Sequence, residues 1–462
     1  MDGSPAPEDV VARLWRLLDL PAGDPGGLRV VGREPVLPSV FALGTLASTC
    51  VGATLLAAAG AAAEGSGAGA PPPVEVDMRE AVAAFRSERY LRLDGRAPGE
   101  LWAPLSGDYR ASDGWVRLHC NYEHHRDAAC AALGVRPDRE LVEAAVASRP
   151  AHDVAEAVVA AGGCAAAMRS RDEWRSGPQF TALADVPVVL LRPLGEARVR
   201  PVGASGTDVT RPLAGVRVLD LTQVIAGPVC GRALAGLGAD VLHVGAAHLP
   251  TIPLLDLDTG LGKRHVDIDL RTEDGRAELR ALVADADVMV QSYRPGALAR
   301  LGFGPADLAA IRPGVVAVDV SAYGPAGPWG QRRGFDSLVQ MASGIAHEGG
   351  QVAGVDGPKP LPAQALDHAT GWLAALGTIA ALRRRATAGG SWHVDVSLAR
   401  TAAWLDALGR VPLDPSTAKD DVAGVLVDTP TSAGLLTHVR MPGRIAGHDL
   451  GWPRGSGEPA GR

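Results

Sequence analysis

Paired cysteines, basic blocks and the familiar nucleotide-binding motifs are all missing from this sequence of 462 residues. Its five cysteines, at 50, 120, 130, 164 and 230, form no Cys-X-X-Cys pair, and an odd number cannot all be bridged. Free thiols in a reduced, cytoplasmic compartment are the natural expectation. Lysine and arginine number 45 against 52 acidic residues, a net charge of −7, so no electrostatic footprint for nucleic acid is present. No Gly-X-Gly-X-X-Gly, Walker-type Gly-Lys-Ser/Thr loop or Gly-X-Ser-X-Gly elbow occurs where it would mark a dinucleotide, nucleotide or hydrolase site. The opening Met1-Asp2-Gly3-Ser4 puts an acid ahead of any base, unlike a secretory signal. From Pro35 to Ala63 nothing is charged, which is long enough to span a bilayer. That run is rich in Ala, Gly, Ser and Thr and is flanked by Glu34 and Glu64, not by cationic anchors. It predicts a helix buried in protein and no membrane partner.

What is present is enough chain for at least two domains, the length being several times the ~150-residue prior for one. The 57 glycines and 35 prolines predict many turns and close backbone contacts. Residues 1–35 carry a helical pattern over Val10–Leu18 behind the acidic pair Glu8-Asp9. Residues 36–210 hold the uncharged helix, an alternating strand at Val74–Met78, and a small α/β unit with strands near Gly114–His119 and Val186–Leu191. After Pro212, strands at Gly215–Thr222, Val241–Val244, Val266–Leu270, Asp287–Val290 and Val315–Val320 alternate with helices. That rhythm predicts an α/β fold, a Rossmann-like doubly wound parallel sheet over 211–405, with a smaller α/β domain and a C-terminal extension at 406–462. Ligands bind beyond the carboxyl ends of such strands, which singles out the loops after 222, 244, 290 and 320. Residues 42–82 also echo 367–398, each an Ala-rich helix followed by a Val-Asp-containing strand.

Several segments could carry chemistry. Gly262-Lys263-Arg264-His265, in a loop before a strand, offers two cations that suit a phosphate, although paired surface cations that are merely solvated look the same. Gln291-Ser292-Tyr293-Arg294-Pro295-Gly296 ends a strand where a ligand is expected, and it also reads as an ordinary Pro-Gly turn. His119, Cys120, His124, His125 and Asp127 match no zinc spacing; a strand edge followed by a polar helix start is expected, with no metal. Asp367, ahead of an almost wholly apolar helix, reads either as an N-cap or as a covalent nucleophile.

Gly215-Val216-Arg217-Val218-Leu219-Asp220-Leu221-Thr222 with Ala226-Gly227-Pro228 opens a longer series. Leu237-Gly238-Ala239-Asp240-Val241, Gly262-Lys263-Arg264, Ala286-Asp287-Val288, Arg294-Pro295-Gly296 and Arg300-Leu301-Gly302 continue it. Tyr323-Gly324-Pro325, Gly334-Phe335-Asp336, Asp367 with Gly371, and Val394-Asp395-Val396 complete it, over about residues 212–400. This ordered set resembles family III CoA-transferases, the CaiB/BaiF group. The resemblance implies that Asp367 is the nucleophile, attacking an acyl-CoA thioester and carrying the CoA as an aspartyl thioester until an acceptor acid takes it. It implies CoA contacts at Val224, Ile225, Ala226, Lys263, Arg264, Ser292, Tyr293, Arg300 and Arg333. Coenzyme A then enters as substrate, with a carboxylic acid as acceptor and no permanently bound cofactor, and a homodimer is implied. Where the family has Lys-Val-Glu and Glu-Asn-Phe, this chain has His243-Val244-Gly245 and Gln291-Ser292-Tyr293.

A 2-methylacyl-CoA racemase, the nearest rival, would want a histidine where Phe335 stands. A non-catalytic CoA-binding or scaffold subunit is the alternative from another class. In the family a small domain follows the catalytic module, whereas here residues 36–200 look like a degenerate copy of that later portion placed in front. With no acid between Glu34 and Glu64, that copy offers no second nucleophile, and one active site per chain is expected.

Overall fold

The computed structural model describes residues 4–459 apart from 22–23, 68, 98, 203–207, 415–416, 418–421 and 457. The chain begins with helix α1 (Pro7–Leu17), strand β1 (Leu28–Val31), helix α2 (Leu43–Ser66), strand β2 (Val74–Asp77) and helix α3 (Met78–Ala84). Pro7 and the acids Glu8 and Asp9 suit the first turn of α1, and Val10, Val11, Leu14 and Trp15 form its buried face. The uncharged run becomes α2, which is apolar on every side. It is long and apolar enough to cross a membrane, yet 94% of that window is buried inside the protein. β1 and β2 pair in parallel, an unanticipated strand at 28–31 supplying the partner. Next comes an antiparallel sheet of Gly107–Arg110, Trp115–Leu118 and Ala165–Ala167, whose own core includes Tyr109, Val116, Val142 and Val154.

After Pro212 the strands are β3 (Arg217–Leu221), β4 (Asp240–Gly245), β5 (Lys263–Asp267), β6 (Val288–Gln291), β7 (Val316–Ser321) and β8 (Ser391–Ser397). The helices that matter for the site are α4 (Ala226–Gly236), α5 (Ala365–Ala388) and α6 (Leu398–Ala407). The six strands are parallel in the order β5-β4-β3-β6-β7-β8, so the chain reverses direction across the sheet between β3 and β6. That reversal is the crevice where doubly wound sheets bind ligands. α5 packs between α2 and α4. Gly371 makes the second contact possible, since a Cβ there would collide with the Ala226 carbonyl and Val229.

The structure corrects three expectations. The strand expected at Val186–Leu191 is Leu190–Gly195, and it lies antiparallel on the edge of the large sheet beside β8, not in the small unit. Pro187 has no N–H for a ladder, and pairing begins at Leu190 opposite Asp395. The boundary at 210 is therefore crossed by hydrogen bonds. So is the one at 406: Arg444–Ile445 pairs with β2, Leu436 and Thr437 pair with Leu93 and Arg92, and Glu458–Pro459 extends the sheet beside β5. Lastly, Lys263 and Arg264 begin β5 itself and do not sit in a loop before it. A cation opening a buried strand breaks the hydropathy pattern, and Lys263 escapes the cost by pairing inside the protein.

Candidate active site

Asp367 is the third residue of α5, and its own amide is capped from elsewhere. Asp336, wholly buried at the start of the helix Asp336–Ala342, accepts hydrogen bonds through Oδ2 from the Leu366 and Asp367 amides at 2.8 and 3.0 Å. Its other oxygen accepts from the Gln340 amide. The N-cap role expected of Asp367 thus belongs to Asp336, which satisfies orphan helix donors from a separate element. Released from capping, the Asp367 carboxylate accepts no hydrogen bond among the described residues and lines a cavity. Burial, then the Asp336 and Glu88 carboxylates, push its carboxyl well above the usual range. Burial pushes Asp336 up as well, to about 6, but its three donors favour its ionised form, so the resting proton of this acid pair belongs on Asp367.

The cavity holds about 450 Å³ and opens where the sheet reverses. Its walls are the loops after β3, β6 and β7, residues 330–335, and Asp367, with Tyr122, His124 and His125 arriving from the forward half. Of the residues proposed from sequence, Val224, Ile225, Ala226, Ser292, Tyr293, Arg333 and Asp367 meet there. Val224 has a φ of 74°, a backbone conformation costly for a β-branched residue and found chiefly where a site demands it. α4 begins at Ala226 without a side-chain cap, so the Ala226 and Gly227 amides at the cavity wall have no intrahelical partner. Arg333 also donates to the Gly162 carbonyl at 2.5 Å, tying the rear half to the forward one.

Lys263, Arg264 and Arg300 do not line the cavity. The Lys263 ammonium is buried, 2.6 Å from Asp220 Oδ2 and 2.8 Å from the Pro228 carbonyl. Burial opposes the Asp220 charge, but Lys263 and His243 outweigh it and hold the carboxyl below its usual range. A Cβ on Gly231 would strike this pair, so the glycine makes room for it. Arg264 forks onto Asp240 at 3.1 and 2.8 Å, and Arg300 is exposed beyond the loop after β6. Lys263 and Arg264 thus tie β5 to its neighbours β3 and β4 through Asp220 and Asp240.

Sequence reasoning missed the forward half's share. His119 lies flat on Phe335 with ring centroids 3.6 Å apart, and His125 meets the same ring edge-on. Burial and the nearby Arg117 cation hold His119 neutral. Glu88 reaches the residue after Asp367: its Oε2 accepts from His368 Nε2 at 3.1 Å, both side chains being buried.

Residues 213–411 match the family model described as CoA-transferase family III. The chain is similar to the acetyl-coenzyme A transferase nodX of Hypoxylon pulicicidum, 37% identical over 42% of this chain and 34% of that one. It is also similar to an acyl-CoA transferase of Gibberella moniliformis, 34% identical over 64% of this chain and 55% of that one. A third relative, the probable fatty acyl-CoA transferase Rv3272 of Mycobacterium tuberculosis, is 37% identical over 44% of this chain and 54% of that one. The solved structure of Rv3272 aligns with a TM-score of 0.39 at 35% identity, over 43% of this chain and 57% of that chain. This chain spans between a third and somewhat over half the length of these curated relatives.

Proposed function

We propose that this chain, whose residues 213–411 match the CoA-transferase family III model, moves CoA between carboxylic acids through covalent intermediates on Asp367. What supports the reading most is a carboxylate free of hydrogen bonds at a cavity on the sheet's reversal point. Once ionised, Asp367 attacks the thioester carbonyl of an acyl-CoA, and collapse of the tetrahedral adduct expels CoA thiolate and leaves a mixed anhydride. The thiolate then attacks the aspartyl carbonyl, releasing the first acid and forming an aspartyl-CoA thioester. The acceptor carboxylate attacks that thioester, and the expelled thiolate takes the acceptor's acyl group, restoring Asp367. Each tetrahedral oxygen needs donors, and the free Ala226 and Gly227 amides are the candidates. Val224, Ile225, Ala226, Ser292, Tyr293 and Arg333 are the proposed CoA contacts. A cytoplasmic homodimer belongs to the same reading, supported for the compartment by five free, buried cysteines. A light-scattering mass of one chain would overturn the dimer.

The test is chemical trapping. Acetyl-CoA, hexanoyl-CoA and succinyl-CoA are incubated with the protein, hydroxylamine is added, and peptides are mapped by mass. A hydroxamate on the Asp367 peptide, absent from Asp367→Ala, is expected. CoA binding without an adduct would point to the racemase or to a scaffold subunit.

One observation favours a second reading. His125 shares the cavity with Asp367 and edges Phe335, where a racemase would want its imidazole. Burial, His124 and Arg333 push His125 down to about 4, so it is a neutral base at neutral pH. Deuterium wash-in at the α-carbon of an acyl-CoA, without CoA transfer, would establish that activity instead.

A further inference from the structure

The forward half does more than cover the cavity. Ser87 and Glu88, on the short helix Ser87–Tyr90, are wedged between the large sheet's helices. The Ser87 hydroxyl donates to Asp258 Oδ2 at 2.7 Å and accepts from Arg232, itself 2.9 Å from Asp258. That anchorage presents Glu88 to His368, whose ring also stacks on Phe85 at 5.6 Å. His368 Nδ1 is buried without a partner. Since Nε2 faces the carboxylate it carries the hydrogen, and a second N–H on Nδ1 would be buried unbonded, which is costly. Burial opposes the Glu88 charge, but the hydrogen bond from His368 outweighs it and holds the carboxyl below its usual range, so Glu88 stands ionised against the first turn of α5. The Glu88 Oε1 atom has no hydrogen-bond partner, and the Arg89 guanidinium stands 3.8 Å off.

We propose that Glu88, supplied by the forward half, is a positioning residue for Asp367: it holds the turn that carries the nucleophile and sets a negative charge beside it that makes it more nucleophilic. The inference rests on Asp367 being the nucleophile. Around Asp367 stand Asp336 from the helix Asp336–Ala342, His368 on α5, and Glu88 with Arg89 from the forward half, while His124, His125, Arg294, Arg332 and Arg333, with Tyr122, Tyr293 and Tyr323, line the same cavity. Asp336 is committed to capping α5 through its backbone amides, whereas Glu88 reaches the same turn only through the His368 side chain. A like charge at short range keeps a carboxylate basic, and a more basic carboxylate attacks an acyl carbon faster.

The test compares wild type with Glu88→Gln, which keeps an acceptor for His368 but removes the charge. Two readouts are taken against pH: the rate of hydroxamate formation with acetyl-CoA, and the infrared carboxyl band that Asp367→Asn deletes. The expected result is a limb and a band titration displaced downward by about 1–2 pH units, with a plateau rate about 3–10-fold lower. Glu88→Asp should return both toward wild type, and it serves as the working variant should Glu88→Gln misfold. A lower plateau with neither limb nor band moved would reduce Glu88 to a structural contact and overturn the proposal. A wild type that forms no adduct would instead overturn the transferase reading. The infrared titration would still decide whether Glu88 acts on Asp367.

Discussion

Two helix N-termini in this molecule are built alike, and they differ in what stands at the third residue: a carboxylate on a cavity in one, a threonine in the other. α2 and α5 are both 24 residues long, and each leads into a strand and then a helix, α2-β2-α3 and α5-β8-α6. In each unit the strand pairs in parallel with an earlier one, β1 with β2 and β7 with β8. In each, a distant carboxylate accepts from the amide of the helix's third residue. Glu34 Oε1 takes Thr45 N at 2.7 Å, as Asp336 Oδ2 takes Asp367 N at 3.0 Å. Thr45 therefore stands where Asp367 stands. Both side chains are buried, but Asp367 lines the cavity of about 450 Å³ and Thr45 does not. The scaffold is thus alike in the two copies, and a carboxylate with a void beside it sets the α5 copy apart.

The largest effect that separates the copies is on turnover. Asp367→Asn should abolish the adduct and lower turnover by about 10³-fold or more, whereas Thr45→Val should leave it within about twofold. The same variant should gain stability at neutral pH. A carboxyl raised on folding contributes stability below its unfolded value near 4, and this is lost as pH rises through the folded value, a loss that asparagine does not suffer. Melting curves of the two proteins at pH 4 and pH 7.5 would show the gap opening only at the higher pH. Wild-type turnover should correspondingly fall with acid at a pH above the ordinary carboxylate range. Thr45→Asp, which makes the sequences match, should cost about 3 kcal/mol or more by burying a charge and should give no second hydroxamate; an adduct on residue 45 would end the contrast. Gly371→Ala should cost about 1–3 kcal/mol through its clash with backbone, and Gly52→Ala less, since it meets only the Leu28 side chain. Smallest, Glu34→Ala should lose about 1 kcal/mol in denaturant melts and no activity beyond that.

The parallel sheet and its crevice were legible because apolar strands at βαβ spacing admit few arrangements. Asp367 was legible only through the ordered motifs, since one acid before an apolar helix fits a cap as well as a nucleophile. Lys263 misled for a physical reason: a cation after glycine looks solvated, and its partner Asp220 lies 43 residues away on another strand. Glu88 left no trace because its partner His368 is 280 residues distant and nothing local marks the pairing. What sequence could not supply, in each case, was a side-chain contact between segments that only the topology brings together.

The exchanged strands have a consequence for how the chain comes to be folded. Leu190–Gly195 leaves the forward half to edge the large sheet, and Arg444–Ile445 leaves the rear half to edge β1-β2. During synthesis the forward half emerges first, yet its sheet edge stays unpaired until residues 444–445 clear the ribosome. Contacts so distant in sequence form slowly and leave strand edges open to other chains meanwhile. This is a protein that should depend on chaperones at birth, and whose halves should aggregate when expressed apart.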